Sequence, residues 1–270
     1  MAAPTATALA DALRPLTSDP KRAALFLDID GTLAPIVGRA EDAHVPQGTS
    51  RLLGTLGRRY GAVTCVSGRS AAEARRLVGV GSIAYAGTHG AELLEPGARA
   101  SRFLPAFESH TDRVRAFVAE HDGAELRTLR VRIEDKGPII AFHWRGAPRE
   151  EAAHEHLRIV AEDAEAQDLA VHWGRKVLEI RPPVPVDKGR AVREVIRRVE
   201  VEAALFAGDD TTDLDGFTAL DELEEESALR VTVRVGVRSE EGPAAIVERA
   251  DIVVDGVQGF VPVLETLVEG

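Results

Sequence analysis

The sequence predicts an α/β protein: a parallel sheet with helices on both faces, interrupted by a smaller inserted α/β unit. Three observations carry that expectation. Short apolar runs ending in small or acidic residues alternate with helical patterns, which is the rhythm of βαβ units. Near residue 105 the rhythm changes to helix, two strands, helix, two strands. It resumes after the stiff stretch Arg181-Pro-Pro-Val-Pro185. The expected domains are therefore 1–105 together with 182–270, and an insert over 106–181.

The elements follow in order. A short helix is expected over Thr7–Leu16, ended near Pro15 and Pro20. Ala23 to Asp28 is an apolar run closing in charge, as a buried parallel strand reads when its C-terminal tip reaches a site. Asp28 and Asp30 are two apart and share a face in extended backbone, and Gly31 permits a tight exit. Two neighbouring carboxylates resist ionising together unless a cation or donors balance them. Gly38 to His44 reads as an exposed polar loop. Pro46 opens a helix in which Leu52, Leu53 and Leu56 share a face. Ala62–Val66 is a second strand, ending in Ser67-Gly68-Arg69-Ser70 before a helix over Ala71–Val78. Ser82–Gly87 is strand-like and leads through Thr88-His89-Gly90-Ala-Glu92 into a hairpin.

In the insert, a helix over Ala106–Glu120 precedes strands over Leu126–Glu134 and Pro138–Trp144. A charged amphipathic helix over Arg149–Ala166 and short strands over Val171–Trp173 and Lys176–Ile180 complete it. The main domain then continues with a helix over Asp187–Val199 and a strand over Ala203–Ala207. That strand ends in Gly208-Asp209-Asp210-Thr211-Thr212-Asp213. A helix over Leu214–Leu223, strands over Arg230–Val235 and Ile252–Val254, and a helix over Val257–Leu267 close the chain.

Composition narrows the function. With 270 residues and a net charge of −11, nucleic acid and anionic membrane are poor partners, although a local cation or Lys still admits an anionic small molecule. Cys65 is the only cysteine, so no internal disulfide holds the fold. Met1 to Ala12 is too broken by Pro4, Thr5, Thr7 and Asp11 for a signal peptide or membrane span, and a cytoplasmic protein is expected. Only four of the 33 basic residues are lysines, and Lys136, Lys176 and Lys188 fall inside motifs. A chain that uses Arg elsewhere keeps Lys where a compact ammonium serves.

Four pieces lie at the C-terminal ends of expected parallel strands or just after the linker: Asp28/Asp30, Ser67, Lys188 and Asp209/Asp210/Asp213. Carboxylates, a hydroxyl and an ammonium together suit phosphoryl transfer through an aspartyl-phosphate, with magnesium on oxygen ligands. Taken one at a time, Ser67 also reads as a helix cap, Lys188 as a solvated helix start, and Asp209 and Asp213 as capping acids.

Asp28-Ile-Asp30-Gly31-Thr32-Leu33, Ser67-Gly68-Arg69, Asp187-Lys188-Gly189 and Gly208-Asp209-Asp210-Thr211-Thr212-Asp213 resemble the four ordered motifs of the haloacid-dehalogenase-like (HAD) phosphatases. Thr88-His89-Gly90 and Lys176-Val-Leu-Glu179-Ile-Arg181-Pro182 narrow the resemblance to the trehalose-6-phosphate phosphatases. The resemblance implies a Rossmann-like core with a C2-type cap, and hydrolysis of trehalose 6-phosphate in trehalose biosynthesis. It implies Asp28 as nucleophile and Asp30 as general acid and base, with Ser67 and Lys188 holding the phosphoryl group. Mg2+ would take Asp28, the Asp30 backbone carbonyl and Asp209, with Asp210 and Asp213 orienting waters from behind. Gly31, Gly68 and Arg69 would line the substrate, and His89 would either touch it or steady the hinge.

By the same resemblance Glu134, Lys136, Lys176 and Glu179 in the cap, with Arg145 beside them, would bond sugar hydroxyls. Each of these also reads as an ordinary cross-strand ion pair. His143 and His172 are expected to be structural, Trp144 and Trp173 to pack, and Cys65 to be a buried hydrophobe. The chain departs from the family at Leu214-Asp215, where Glu and a polar residue are usual, and at Thr88. The expected partner is a small sugar phosphate, and a monomer is expected. Alternatives are a phosphatase for glucosylglycerol or sucrose phosphate, a phosphomutase, or a catalytically silent regulatory domain of the same fold.

Overall fold

A computed structural model describes residues 5–37, 42–174, 176–239 and 242–270. Residues 38–41 of the expected loop lie outside the described residues, as do 1–4 of the N-terminal stretch. The elements run α1 (Ala6–Thr17), β1 (Ala23–Asp28), α2 (Gln47–Arg59), β2 (Ala62–Val66), α3 (Ala71–Val78), β3 (Ala84–Gly87), β4 (Glu92–Leu94) and β5 (Arg102–Phe103). Then come α4 (Pro105–Glu108), α5 (Thr111–His121), α6 (Ala124–Thr128), β6 (Arg132–Asp135), β7 (Ile140–His143), α7 (Glu150–Ala166), β8 (Ala170–Gly174) and β9 (Val177–Arg181). The last are α8 (Lys188–Ile196), β10 (Ala203–Gly208), α9 (Leu214–Glu225), β11 (Val231–Arg238), α10 (Ala244–Arg249), β12 (Ile252–Asp255) and α11 (Gly256–Glu269). Two compact units result: Met1–Arg102 with Val186–Gly270, and Phe103–Pro185.

The larger unit is built on a sheet ordered β12-β11-β10-β1-β2-β3-β4-β5, parallel from β12 to β3, with β4 antiparallel to β3. β1 and β10 are buried at every residue, because helices cover both faces. Leu25 and Leu27 join α1, α2 and α11 in one core through Leu13, Leu53 and Leu264. Phe206 instead meets Phe217 of α9 edge-on at 6.0 Å. α2 and α11 are also tied by their ends: the Tyr60 hydroxyl donates to the Leu267 carbonyl at 3.0 Å. Register brings the tips level. Asp28 pairs with Val66, and Leu27 with Ala207, so Ser67 and Asp209 emerge one or two residues later on either side of Asp28.

The smaller unit is an antiparallel sheet ordered β6-β7-β9-β8. Alternation separates its two faces. Ile140, Phe142, Leu178 and Ile180 pack against Val114 and Phe117 of α5 and Leu157 and Val160 of α7. Glu134, Ala141, Glu179 and His172 form one register row across the other face.

Two expectations need correction, and one helix goes beyond them. The helix expected over 106–120 is two, α4 and α5, parted at Ser109-His110. Leu126–Thr128 is helical, not strand, because Leu126 and Leu129 are buried three apart on one face, and the period-2 pattern starts only at Val131. α10 was not foreseen; only Ile246 of its six residues is buried, too little for a periodic signal.

Candidate active site

Lys188 is the first residue of α8, after Asp187, whose side chain accepts from the Arg190 amide at 2.7 Å and caps the helix. The Lys188 Nζ donates to Asp28 Oδ1 and to Asp213 Oδ1, both at 2.6 Å, with all three groups buried. Asp213 ends a 3-10 turn, Thr211–Asp213, that follows β10. Its other oxygen accepts the amides of Asp209 and Asp210, each at 2.9 Å. Asp209 is held in turn by the Thr32 hydroxyl, which donates to its Oδ1 at 3.2 Å. Gly31 makes that approach feasible. Its φ is +96°, and a Cβ there would lie 2.1 Å from Asp209 Oδ2.

The charges do not balance internally. One oxygen from each of Asp28, Asp209 and Asp213 lies within 4.8 Å of the others, against the single ammonium of Lys188. Burial, with the Asp213 charge behind it, holds the Asp28 carboxyl well above the usual carboxylate range despite Lys188. Burial and Asp213 likewise push Asp209 up to about 6, against the Thr32 hydrogen bond. For Lys188, burial alone would lower the pKa, but Asp28 and Asp213 outweigh it and keep the ammonium charged. Asp28 Oδ2 is buried and has no hydrogen-bond partner among the described residues. A cluster of oxygen donors with excess negative charge and an unsatisfied buried oxygen fits a hard divalent cation.

Ser67 is buried and its Oγ accepts the Arg69 amide at 3.1 Å. Arg69 grips Asp30 with both ends of its guanidinium, Nε to Oδ2 at 2.8 Å and Nη2 to Oδ1 at 2.7 Å. The hydrogen bond to Asp30 is the main cause holding the Arg69 pKa above its usual value. The His89 ring lies against Gly68, so that a Cβ on Gly68 would sit 2.6 Å from it. Thr88 and His89 both have φ of +51°, and Gly90 +91°. For a β-branched residue such as Thr88 that conformation costs on the order of 1–3 kcal/mol. Asp210 is exposed and caps the 3-10 turn through the Thr211 amide at 2.7 Å.

The structure therefore brings together Asp28, Asp209, Asp213 and Lys188, with Ser67 on the neighbouring strand tip. Asp30 and Arg69 form a pair of their own. Sequence reasoning did not assign Thr32 or Glu92. Thr32 stood inside a quoted motif. Glu92 gave no signal, because only its three-dimensional partners mark it out.

The remaining expected residues belong to the smaller unit. Glu134 pairs with His143 Nε2 at 2.7 Å, and Lys136 Nζ donates to Glu179 at 3.3 Å. Arg181 donates twice to Glu179 Oε2, at 3.0 and 2.6 Å. Burial pushes Glu179 up, but Arg181 and Lys136 more than reverse it, so its carboxyl lies below the ordinary range. His172 is lowered by burial and by the Arg181 charge. Lys176 has a φ of +63° and pairs with Glu150 at 2.5 Å, while Arg145 follows the end of β7 by two residues. Arg181, assigned no role from the sequence, and His172, expected to be structural, join the polar face; their alternation with Ile180 and Val171 is the signal that finds them. Trp144 is buried and meets Trp173 edge-on at 5.9 Å.

The trehalose-phosphatase family matches residues 26–247. A trehalose-phosphate phosphatase of Mycobacterium marinum is 33% identical over 210 residues, 74% of this chain and 52% of that protein. The chain thus spans about half the length of that relative. A protein of Sinorhizobium fredii named "probable trehalose-phosphate phosphatase" is 33% identical over 216 residues, covering 79% of each chain. Among solved structures, the C-terminal domain of the C. albicans trehalose-6-phosphate phosphatase superposes with a TM-score of 0.65 at 20% identity, over 99% of this chain and 98% of that one. At that identity the likeness speaks for the fold. Among the described residues no helix is long and apolar enough to cross a membrane.

Proposed function

The chain belongs to the trehalose-phosphatase family, and from that premise we propose that it is a Mg2+-dependent phosphatase converting trehalose 6-phosphate to trehalose and phosphate through an aspartyl-phosphate on Asp28. The observation that carries this reading is the buried cluster of Asp28, Asp209 and Asp213 around one ammonium, with Asp28 Oδ2 unsatisfied. Asp28, Asp209 and the Asp30 backbone carbonyl would hold Mg2+, which when bound offsets charge on the phosphoryl oxygens.

The chain's own residues would divide the work as follows. Asp28 attacks phosphorus, and the bond from phosphorus to the sugar oxygen breaks as Asp30 gives that oxygen a proton. Asp30 then takes a proton from water, whose oxygen attacks the phosphorus of the acyl phosphate. Phosphate leaves and the Asp28 carboxylate is restored. Lys188, kept charged by Asp28 and Asp213, offsets the charge that builds on the phosphoryl oxygens. Ser67 donates its hydroxyl to one of them. Asp213 serves from behind: both its oxygens are already engaged, and it holds Lys188 and the Asp209 amide in place. Arg69 engages both oxygens of Asp30, and an arriving phosphate is a suitable competitor for the guanidinium.

On this reading the smaller unit contributes Glu134, Lys136, Lys176 and Glu179 to sugar hydroxyls. Charged donors and acceptors at fixed geometry separate one disaccharide from another. Comparing kcat/KM for trehalose 6-phosphate, sucrose 6-phosphate, a glucosylglycerol phosphate and glucose 6-phosphate tests the assignment. Trehalose 6-phosphate is expected to lead; glucose 6-phosphate at parity or better overturns it.

A further inference from the structure

Glu92 opens β4 and is buried, yet the proposed reaction gives it no part. Its carboxyl group collects donors from three separate segments. Oε1 accepts the Ala71 amide at 2.8 Å and the Thr88 hydroxyl at 3.1 Å, and Oε2 accepts the Ser101 hydroxyl at 2.5 Å. Ala71 is the first residue of α3, directly after the Ser67–Ser70 loop, and Thr88 opens the left-handed turn that carries His89. The site for this carboxyl is built deliberately tight. A Cβ on Gly87 would lie 2.1 Å from the Ala71 amide and 2.7 Å from Glu92 Oε1, so only glycine lets the two loops close on that oxygen.

The loops also bond each other directly. The His89 amide donates to the Ser67 carbonyl at 2.9 Å, and the Thr88 amide to the Arg69 carbonyl at 2.7 Å. Both bonds are made with Thr88 and His89 at their unfavourable φ of +51°. A left-handed Thr persists only where its surroundings over-determine it, and the Thr88 hydroxyl on Glu92 supplies a side-chain restraint on that residue.

We propose that Glu92 is a positioning residue: through Ala71 and Thr88 it clamps the Ser67–Arg69 loop to the Thr88–Gly90 turn, and so fixes Ser67 and His89 at the phosphoryl site. The inference rests on the phosphatase reading for its catalytic consequence, but not for the clamp itself. Two measurements therefore separate them. Hydrogen exchange over peptides covering 67–71 and 87–91 reports the clamp whatever the chemistry. Turnover and inhibition by inorganic phosphate report its consequence, since a misplacement of about 1 Å in a reacting group costs about a hundredfold in rate.

Glu92→Ala should speed exchange in both peptides, lower kcat/KM for trehalose 6-phosphate by about a hundredfold and weaken phosphate inhibition in parallel. Glu92→Gln keeps an acceptor for Ala71 and Thr88 and should stay within about tenfold of wild type. Tyr60→Phe, which loses a buried bond far from these loops, controls for general destabilisation: it should lower Tm and leave exchange at both peptides and phosphate inhibition unchanged. Unchanged exchange in a folded Glu92→Ala overturns the clamp. So does a Glu92→Gln variant as impaired as Glu92→Ala, because the acceptor geometry would then be irrelevant. Altered exchange beside a wild type that releases no phosphate from any ester leaves the clamp standing and overturns the phosphatase reading instead.

Discussion

The strand tips of the larger unit and the polar face of the smaller sheet are both crowded with charge, and they handle it in opposite ways. Around Asp28 the groups are dry, and among the described residues acids outnumber bases and one carboxylate oxygen lacks a partner. Around Glu179 each acid has its base: Lys136 and Arg181 on Glu179, His143 on Glu134, all partly open to water. An unbalanced buried cluster is costly by itself and makes sense only with something cationic added. Balanced, half-wet pairs cost little and exchange partners readily. The first arrangement suits chemistry that must not vary. The second suits recognition that can be retuned by changing side chains.

That contrast can be broken most sharply at Asp28. Asp28→Asn keeps the shape and removes the nucleophile, so phosphate release should fall by at least about a thousandfold while the fold survives. Circular dichroism alongside a phosphate assay checks both halves. Lys188→Met should next destabilise the protein by about 3–5 kcal/mol in denaturant titration, because it strands two buried carboxylates without their cation.

Changes on the polar face should be milder and of another kind. Lys136→Ala is expected to raise KM for trehalose 6-phosphate about tenfold, with turnover of p-nitrophenyl phosphate and Tm nearly unaltered. If both substrates suffer alike, recognition and chemistry are not divided as argued.

The smallest effect concerns acidity in protein stripped of divalent cations. Asp209 binds its proton up to a pH of about 6, whereas an unfolded Asp releases it near 3.8. Between those values the folded state carries more protons than the unfolded state, so stability rises as pH falls through 6. Asp28 shifts in the same direction. Thermal scans without cation should show Tm increasing from pH 7 to pH 5, by roughly 2–4 °C for each kcal/mol gained. Mg2+ should raise Tm at pH 7 and less at pH 5; a Tm that falls on acidification from 7 to 5 contradicts the charge imbalance.

Much of this was legible in the residues, for identifiable reasons. β1 and β10 read clearly because strands covered on both faces are continuous apolar runs. The acids at their ends stood out because carboxylates beside such runs need an explanation. Other features depended on distance along the chain. The Arg69–Asp30 pair joins residues 39 apart, and no local pattern announces it. The closeness of Asp213 to Asp28 arises from a 3-10 turn that folds the acid back over the β10 tip. In the smaller unit, α6 was hidden because Leu126, Leu129, Val131 and Ile133 satisfy a helical spacing first and a strand spacing afterwards.

The pairing of β1 with β10 has a consequence for biosynthesis. Ala23 finds its neighbour only when Ala203 has been made, while every pairing of the smaller sheet lies between residues 132 and 181. At about 5–20 residues per second, a ribosome leaves the β10-facing edge of Ala23–Asp28 without its partner for many seconds, although β2 reaches the other edge much sooner. Chaperone demand during translation should accordingly centre on the nascent N-terminal third.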